Sequence, residues 1–217
     1  RNQRGDLTGS MLGMNQLSKA DLEFSGEQFR KWAKYIPEFR SALECCCGSA
    51  RNTEQILALY FDVIDLNDIS QRMIKSAEAL KERLAATSAA KKMGQIGFAE
   101  CCNVKDIVFK QQYDCIYMCW GFLYMNDSDV VKFLIKAKDS LMKKDYSGKS
   151  GVIITKENVQ DFGQESVLNT KCMQMVRTVE HYRHLFELAK YEVLDESERQ
   201  KFDKEKHECV MFVMRPK

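Results

Sequence analysis

Two carboxylates frame the part of this chain in which ligand chemistry is most legible. Glu44 precedes the stretch Cys45-Cys-Cys-Gly-Ser-Ala50, and Asp65 follows it, 21 residues beyond Glu44. An acidic side chain about 20 residues past a glycine-bearing turn is the spacing at which a ribose is held, because one carboxylate accepts from both hydroxyls. Asp65 also reads as an ordinary turn or N-cap residue, since Asn67 and Asp68 follow it. Spacing leaves both readings open.

The cysteines are the other reactive group. Cys45, Cys46 and Cys47 are consecutive, Cys101 and Cys102 are adjacent, and the total of 9 is odd. Adjacent cysteines seldom both reach disulfide geometry. Reduced thiols are expected, and with them a reducing compartment, the cytoplasm or the nucleus. Cys115 and Cys119 stand at a zinc-like interval without a matching second pair, so no metal site is expected. His181, His184 and His207 fall away from the glycine-bearing turn and read as surface or packing residues.

The elements that must hold these residues alternate between strand and helix. Residues 1–24 are polar and glycine-dotted and read as an N-terminal arm, with one domain over 25–217. Helical spacing runs through 27–39, where Phe29, Trp32, Ala33 and Ile36 recur and Pro37 stops the pattern. Further helices are expected at 52–60, at 70–84 (Met73, Ile74, Ala77, Leu80, Leu84), at 127–142 behind an Asn126 or Asp127 cap, and at 178–189. Strands are expected at 41–43, 61–65, 95–99, 114–120 and 151–155, with an antiparallel pair at 191–194 and 208–214. The unbroken apolar run 114–120 predicts a central strand flanked by 41–43 and 151–155. On the helix 178–189, Val179, Tyr182, Leu185, Phe186 and Ala189 should point inward, with His181 and Glu187 outward. This order implies a parallel sheet covered by helices on both faces, with ligands beyond the carboxyl ends of its strands.

Composition narrows the class. Apolar residues make up 45% of the 217, enough for a sizeable core, which excludes a disordered chain. A net charge of +2 leaves no basic footprint for nucleic acid or an anionic membrane, and no apolar run is long enough to cross a bilayer. The polar start, Arg1-Asn-Gln-Arg-Gly-Asp6, is not a signal peptide.

Several stretches, in order, resemble the S-adenosylmethionine-dependent α-N-terminal protein methyltransferases. They are Met11-Leu-Gly13; Ala42-Leu-Glu-Cys-Cys-Cys-Gly-Ser-Ala-Arg-Asn-Thr53 followed by Val63-Ile-Asp-Leu66; Tyr113-Asp-Cys-Ile-Tyr-Met-Cys-Trp120 followed by Gly151-Val-Ile-Ile-Thr-Lys-Glu-Asn158; and Val176-Arg-Thr178 with His184-Leu-Phe186. The resemblance implies an α/β class I methyltransferase-like Rossmann fold, a mostly parallel seven-stranded sheet with an antiparallel C-terminal edge strand. It also implies roles. Gly48 and Arg51 would lie in the cofactor loop, with Arg51 on the methionine carboxylate. Asp65 would hold the ribose, Val104 and Lys105 would flank the adenine, and Cys119 would sit at the methionine end. Trp120 and Asn158 would line a channel for a protein N-terminus, although Trp120 reads equally as core.

The departures from that pattern matter as much. Of the family's three loop glycines only Gly48 stands here; Cys46 and Ala50 replace the others. Tyr124 occupies the position of the family's histidine base, and its second base, an aspartate, falls near Cys172. A phenol of pKa about 10 is a poor acceptor for an α-ammonium proton of pKa about 8. The expectation is a catalytically impaired methyltransferase-fold protein, a non-catalytic subunit or scaffold, with Tyr124 and Asn158 marking a degraded catalytic site. The alternative is an active S-adenosylmethionine-dependent methyltransferase of Xaa-Pro-Lys N-termini, for which positioning alone would suffice. The partner would be a protein N-terminus or a protein complex, not nucleic acid or membrane. The cofactor would be S-adenosylmethionine or none, because the turn 45–50 should relax from left-handed geometry, turn the Cys46 sulfur inward, and narrow or empty the pocket.

Overall fold

The computed structural model describes residues 15–88, 93–143, 148–160, 163–201 and 208–217. The Met11-Leu-Gly13 stretch, the first part of the expected arm and His207 lie outside the described residues.

Among the described residues nine strands and five α-helices follow in the order α1 (Asn15–Trp32), β1 (Ser41–Cys45), α2 (Arg51–Gln55), β2 (Val63–Asp68), α3 (Gln71–Ser88), β3 (Gln95–Cys101), β4 (Cys115–Cys119), α4 (Asp127–Lys138), β5 (Val152–Val159), β6 (Val167–Asn169), β7 (Gln174–Val176), α5 (Val179–Leu188), β8 (Tyr191–Glu196) and β9 (Glu208–Pro216). Seven strands form one sheet in the order β3-β2-β1-β4-β5-β9-β8. β1 to β5 run parallel, and β9 runs antiparallel to both β5 and β8. This is the doubly wound sheet expected from the alternation of patterns. β4 sits at its centre between β1 and β5, with all five residues buried. Its alternate side chains feed opposite cores: Ile116 and Met118 join Phe122, Phe133 and Phe186 on one face, while Cys115, Tyr117 and Cys119 join Phe29, Trp32 and Phe61 on the other.

The helices follow their sequence signals where the buried face is apolar. α4 starts at Asn126, whose Oδ1 accepts from the Asp129 amide at 2.8 Å, with acidic residues in its first turn and lysines in its last. α5 is capped by Thr178 and buries Val179, Tyr182, Leu185 and Phe186, each such side chain contributing about 1.5–3 kcal/mol. Glu187 faces solvent and His181 is part-exposed, as the spacing predicts. The hairpin β6–β7 has no counterpart in the sequence reading.

The helices expected at 52–60 and 127–142 are shorter, Arg51–Gln55 and Asp127–Lys138, and the bounds of α1 and β2 differ for identifiable reasons. α1 begins at Asn15, so 15–24 is helical and not an arm. Its inward positions Ser18, Asp21, Ser25 and Gln28 keep helical spacing but are polar, which hides them from a search for apolar periodicity. The helix also stops at Trp32, and Ile36 is extended (φ −79°, ψ 130°) because Pro37 disfavours a helical residue before it. β2, expected at 61–65, runs over Val63–Asp68. Phe61 belongs to the preceding turn, with its amide bonded to Leu57 O.

Candidate functional site

A cavity of about 600 Å³ opens at the carboxyl ends of β1, β2, β3 and β4. Cys46 and Gly48 reach it from the turn after β1, Asp68 and Ser70 from the end of β2, and Val104 and Lys105 from the turn after β3. Cys119, Trp120 and Tyr124 close it from β4 and the turn beyond. Its volume lies within the range of small-molecule sites, and its place is the switch region of a doubly wound sheet.

The turn 46–50 keeps the left-handed geometry it was expected to lose. Cys46, Gly48 and Ala50 have φ of 54°, 55° and 59°. Two of these are non-glycine residues, each held against a cost of roughly 1–3 kcal/mol. Backbone bonds from Cys47 N to Asn67 O and from Ala50 N to Cys47 O, both 2.9 Å, hold the turn in place. Glu44 anchors its far side, accepting from the Thr53 amide at 3.1 Å, the Thr53 hydroxyl at 2.5 Å and the Asn52 side-chain amide at 3.1 Å. Burial pushes the Glu44 carboxyl up to about 7. The Cys46 thiol does line the cavity, and burial with the nearby Asp68 and Glu157 charges pushes its pKa far up, so it is a neutral wall group. The cavity stays open beside it.

The carboxylate that lines the cavity is not Asp65 but Asp68, three residues later. Asp65 lies inside β2, 1% exposed and away from the cavity. Its Oδ1 accepts from the Phe98 amide at 3.1 Å, and its Oδ2 from Gln111 Nε2 and the Tyr113 hydroxyl, both at 2.9 Å. Gly97 makes room for it, since a Cβ there would stand 2.2 Å from Asp65 Oδ1. Asp68 is the carboxylate that lines the cavity; it accepts from the Gly48 and Ser70 amides, both at 2.8 Å. Its sequence signal was its place two residues ahead of Ser70, where the amphipathic helix begins.

The remaining expected residues divide. Gly48, Val104, Lys105, Cys119, Trp120 and Tyr124 meet at the cavity. Arg51 does not line it: the guanidinium lies 5.4 Å from the Trp120 ring centroid and is bonded to Ser18 Oγ (3.3 Å) and Asp21 Oδ2 (2.5 Å) of α1. Asn158 also lies outside it, its Oδ1 accepting from Cys209 Sγ at 3.1 Å. Trp120 is part-buried with φ 57°, its amide bonded to Lys156 O at 2.8 Å, and it both lines the cavity and packs against the core that holds Phe29 and Trp32. Tyr124 is 57% exposed, and its hydroxyl accepts from Gln174 Nε2 at 2.8 Å. Gln174 Oε1 in turn accepts from Cys172 Sγ at 3.2 Å, so one glutamine on β7 joins Tyr124 and Cys172. His181 sits between Ser166 Oγ and Asp127 Oδ2, and neither it nor His184 lines the cavity.

Two buried groups went unrecognised in the sequence. Glu157 accepts from the Gly121, Phe122 and Leu123 amides at 2.9–3.2 Å and from Thr155 Oγ1 at 3.0 Å, and so fixes the turn that carries Tyr124. Burial pushes its carboxyl up to about 7. Lys156 is fully buried and paired with Asp21, with Ser25 Oγ at 3.0 Å and Gln200 Oε1 at 2.5 Å. All nine cysteines are free thiols. Among the described residues no cluster of three metal-ligating side chains occurs, and no helix is long and apolar enough to cross a membrane.

Comparison with known proteins places this architecture. Residues 2–215 match the family model described as AdoMet-dependent proline di-methyltransferase. The chain is 25% identical to the alpha N-terminal protein methyltransferase 1 of Dictyostelium discoideum, over 97% of this chain and 74% of that one. It is 22% identical to the human N-terminal Xaa-Pro-Lys N-methyltransferase 1, over 96% of this chain and 88% of that one. Among solved structures, a SAM-dependent methyltransferase of Leishmania major superposes with a TM-score of 0.77 at 21% identity, covering 94% of this chain and 74% of that chain.

Proposed function

As this chain belongs to the AdoMet-dependent proline di-methyltransferase family, we propose that it binds S-adenosylmethionine in the cavity at the strand ends but transfers methyl groups to protein N-termini poorly, acting mainly as a non-catalytic subunit. The residues present fit the cofactor. The cavity is of ligand size, Asp68 offers a carboxylate at the end of β2, and the turn 46–50 retains its left-handed residues. Asp68 would hold the ribose hydroxyls, Val104 and Lys105 would flank the adenine, and Gly48 and Cys46 would face the nucleoside and homocysteine parts. Arg51, which stands against the Trp120 ring behind the cavity wall, would take the methionine carboxylate. The cofactor supplies an electrophilic methyl group on a sulfonium.

The chain's share of the chemistry is to bring a neutral amine to that methyl. The observation that carries the impaired reading is the cavity lining. Among the described residues Asp68 is its one carboxylate and no histidine belongs to it, and a phenol, Tyr124, stands at the position of the family's imidazole. A base in that position contributes typically 10²–10⁴-fold. Without one, only the fraction of substrate amine already neutral can react.

A second reading, an active Xaa-Pro-Lys N-terminal methyltransferase, draws support from the retained φ values of Cys46 and Ala50 and the open cavity. Calorimetric titration with S-adenosylhomocysteine, combined with methyl transfer from labelled cofactor to an Xaa-Pro-Lys peptide, separates the two. Binding with turnover at least about 100-fold below an intact family member supports the impaired reading. Comparable turnover establishes the second, and absence of binding removes both.

A further inference from the structure

Asp21 is a buried carboxylate shared by two cations. It is fully buried on α1, and its two oxygens are divided between two cations, Oδ2 to Arg51 and Oδ1 to Lys156. Both cations lie near the Trp120 ring, 5.4 Å and 6.0 Å from its centroid, and Trp120 with its neighbour Cys119 lines the cavity. Arg51 spends both terminal nitrogens on α1, one on Ser18 and one on Asp21. The fork that would grip a ligand carboxylate end-on is therefore already engaged by α1, one arm on the Asp21 carboxylate and the other on the Ser18 hydroxyl.

We propose that Asp21 is an internal surrogate for the methionine carboxylate: it holds Arg51 until the cofactor's carboxylate takes Arg51 from it. The proposal rests on the cofactor reading above and adds to it the residue that sets how much the amino-acid end of the ligand contributes to binding. Two cations share Asp21, so an incoming carboxylate can take over Arg51 while Asp21 keeps Lys156, and each cation then has its own anion. The exchange breaks the Arg51–Asp21 and Arg51–Ser18 contacts, two of the ties that fasten the N-terminal half of α1 to the body of the protein. Lys156–Asp21, Lys156–Ser25 and Gln200–Ala20 remain. Because one ion pair is exchanged for another, the methionine carboxylate adds little affinity in the unmodified chain.

The test compares two ligands that share the adenosine and sulfur but differ in the amino-acid end: S-adenosylhomocysteine, and 5′-methylthioadenosine, which has no carboxylate. Calorimetry on the unmodified chain should give affinities within a few-fold of each other. Asp21→Asn removes the competing charge and keeps the side-chain shape. It should tighten S-adenosylhomocysteine about tenfold and leave 5′-methylthioadenosine unchanged. Asp21→Asn combined with Lys156→Gln removes one buried cation together with the anion, so the comparison stands if the single variant fails to fold. Equal shifts for both ligands would mean that Asp21 only supports the fold. Selective weakening of S-adenosylhomocysteine would mean that Asp21 orients Arg51 for the ligand. Either result overturns the proposal while leaving the cofactor reading intact. Failure of both ligands to bind the unmodified chain removes the cofactor reading, and this proposal with it.

Discussion

Asp68 Oδ2 accepts a 2.8 Å hydrogen bond from the Gly48 amide, so the carboxylate at the end of β2 is fastened to the one glycine in the turn after β1. The contact joins two sides of the cavity across 20 residues of sequence. It leaves Asp65, three residues earlier, to an unrelated task within the sheet. The two aspartates can therefore be separated by experiment.

Asp68→Ala should weaken S-adenosylhomocysteine by at least about tenfold, a loss of roughly 1.4 kcal/mol or more, with a modest fall in stability. Asp65→Ala should do the reverse. It strands the Tyr113 hydroxyl and the Phe98 amide in the interior, at about 1–3 kcal/mol for each buried group left unpaired. Titration and urea unfolding of the two variants check this. Equal loss of affinity in both would contradict the placement of the carboxylates.

Cys46→Gly should stabilise the protein by about 1 kcal/mol, since glycine adopts φ 54° without the Cβ penalty. The same change removes a sulfur from the cavity wall, so ligand affinity should rise. Thermal unfolding with and without S-adenosylhomocysteine reads both effects, and a lower melting temperature would show that the thiol's packing outweighs the backbone strain.

Tyr124→His restores an imidazole at the cavity. Methylation of an Xaa-Pro-Lys peptide should increase by up to about tenfold at pH 7, where roughly a tenth of an α-amine of pKa about 8 is neutral, with little change in cofactor affinity. An unchanged rate would mean that proton removal is not what limits the chain.

Burial holds the Glu44 and Glu157 carboxyls at about 7, above their ordinary 4.5. Between those values the folded chain binds more protons than the unfolded one, so stability falls as pH rises through the window. Asp127 and Glu208, whose carboxyls are lowered, act in the opposite sense and on the acid side of it. The unmodified protein should thus lose on the order of a few kcal/mol from pH 4.5 to 7.5 in urea unfolding. Glu157→Gln should show a shallower slope. A profile that rises over this range would refute the assignment.

Period and polarity alone determined the frame of this molecule. The run 114–120 read as a strand buried on both faces and the apolar spacing over 178–189 as a helix with one inward face, and the structure has both, as β4 and α5. The Cys46, Gly48 and Tyr124 positions were legible through the family resemblance of the contiguous stretches that hold them. The carboxylate was not. Residues 65 and 68 are an odd number apart, so in an extended strand they point to opposite faces, and only register decides which one reaches the cavity. Pairing sets Leu43 opposite Asp65 and Cys45 opposite Asn67, which puts Asp68 just beyond the end of β1, beside Gly48. Asp21 was hidden for a related reason. Along the chain it is one polar residue in a polar stretch; its meaning comes from Arg51, 30 residues away, and Lys156, 135 residues away, which the packing of α1 against the sheet brings to the same carboxylate. Sequence patterns report the faces that avoid water, whereas charges buried in pairs are defined by partners that only the folded chain brings together.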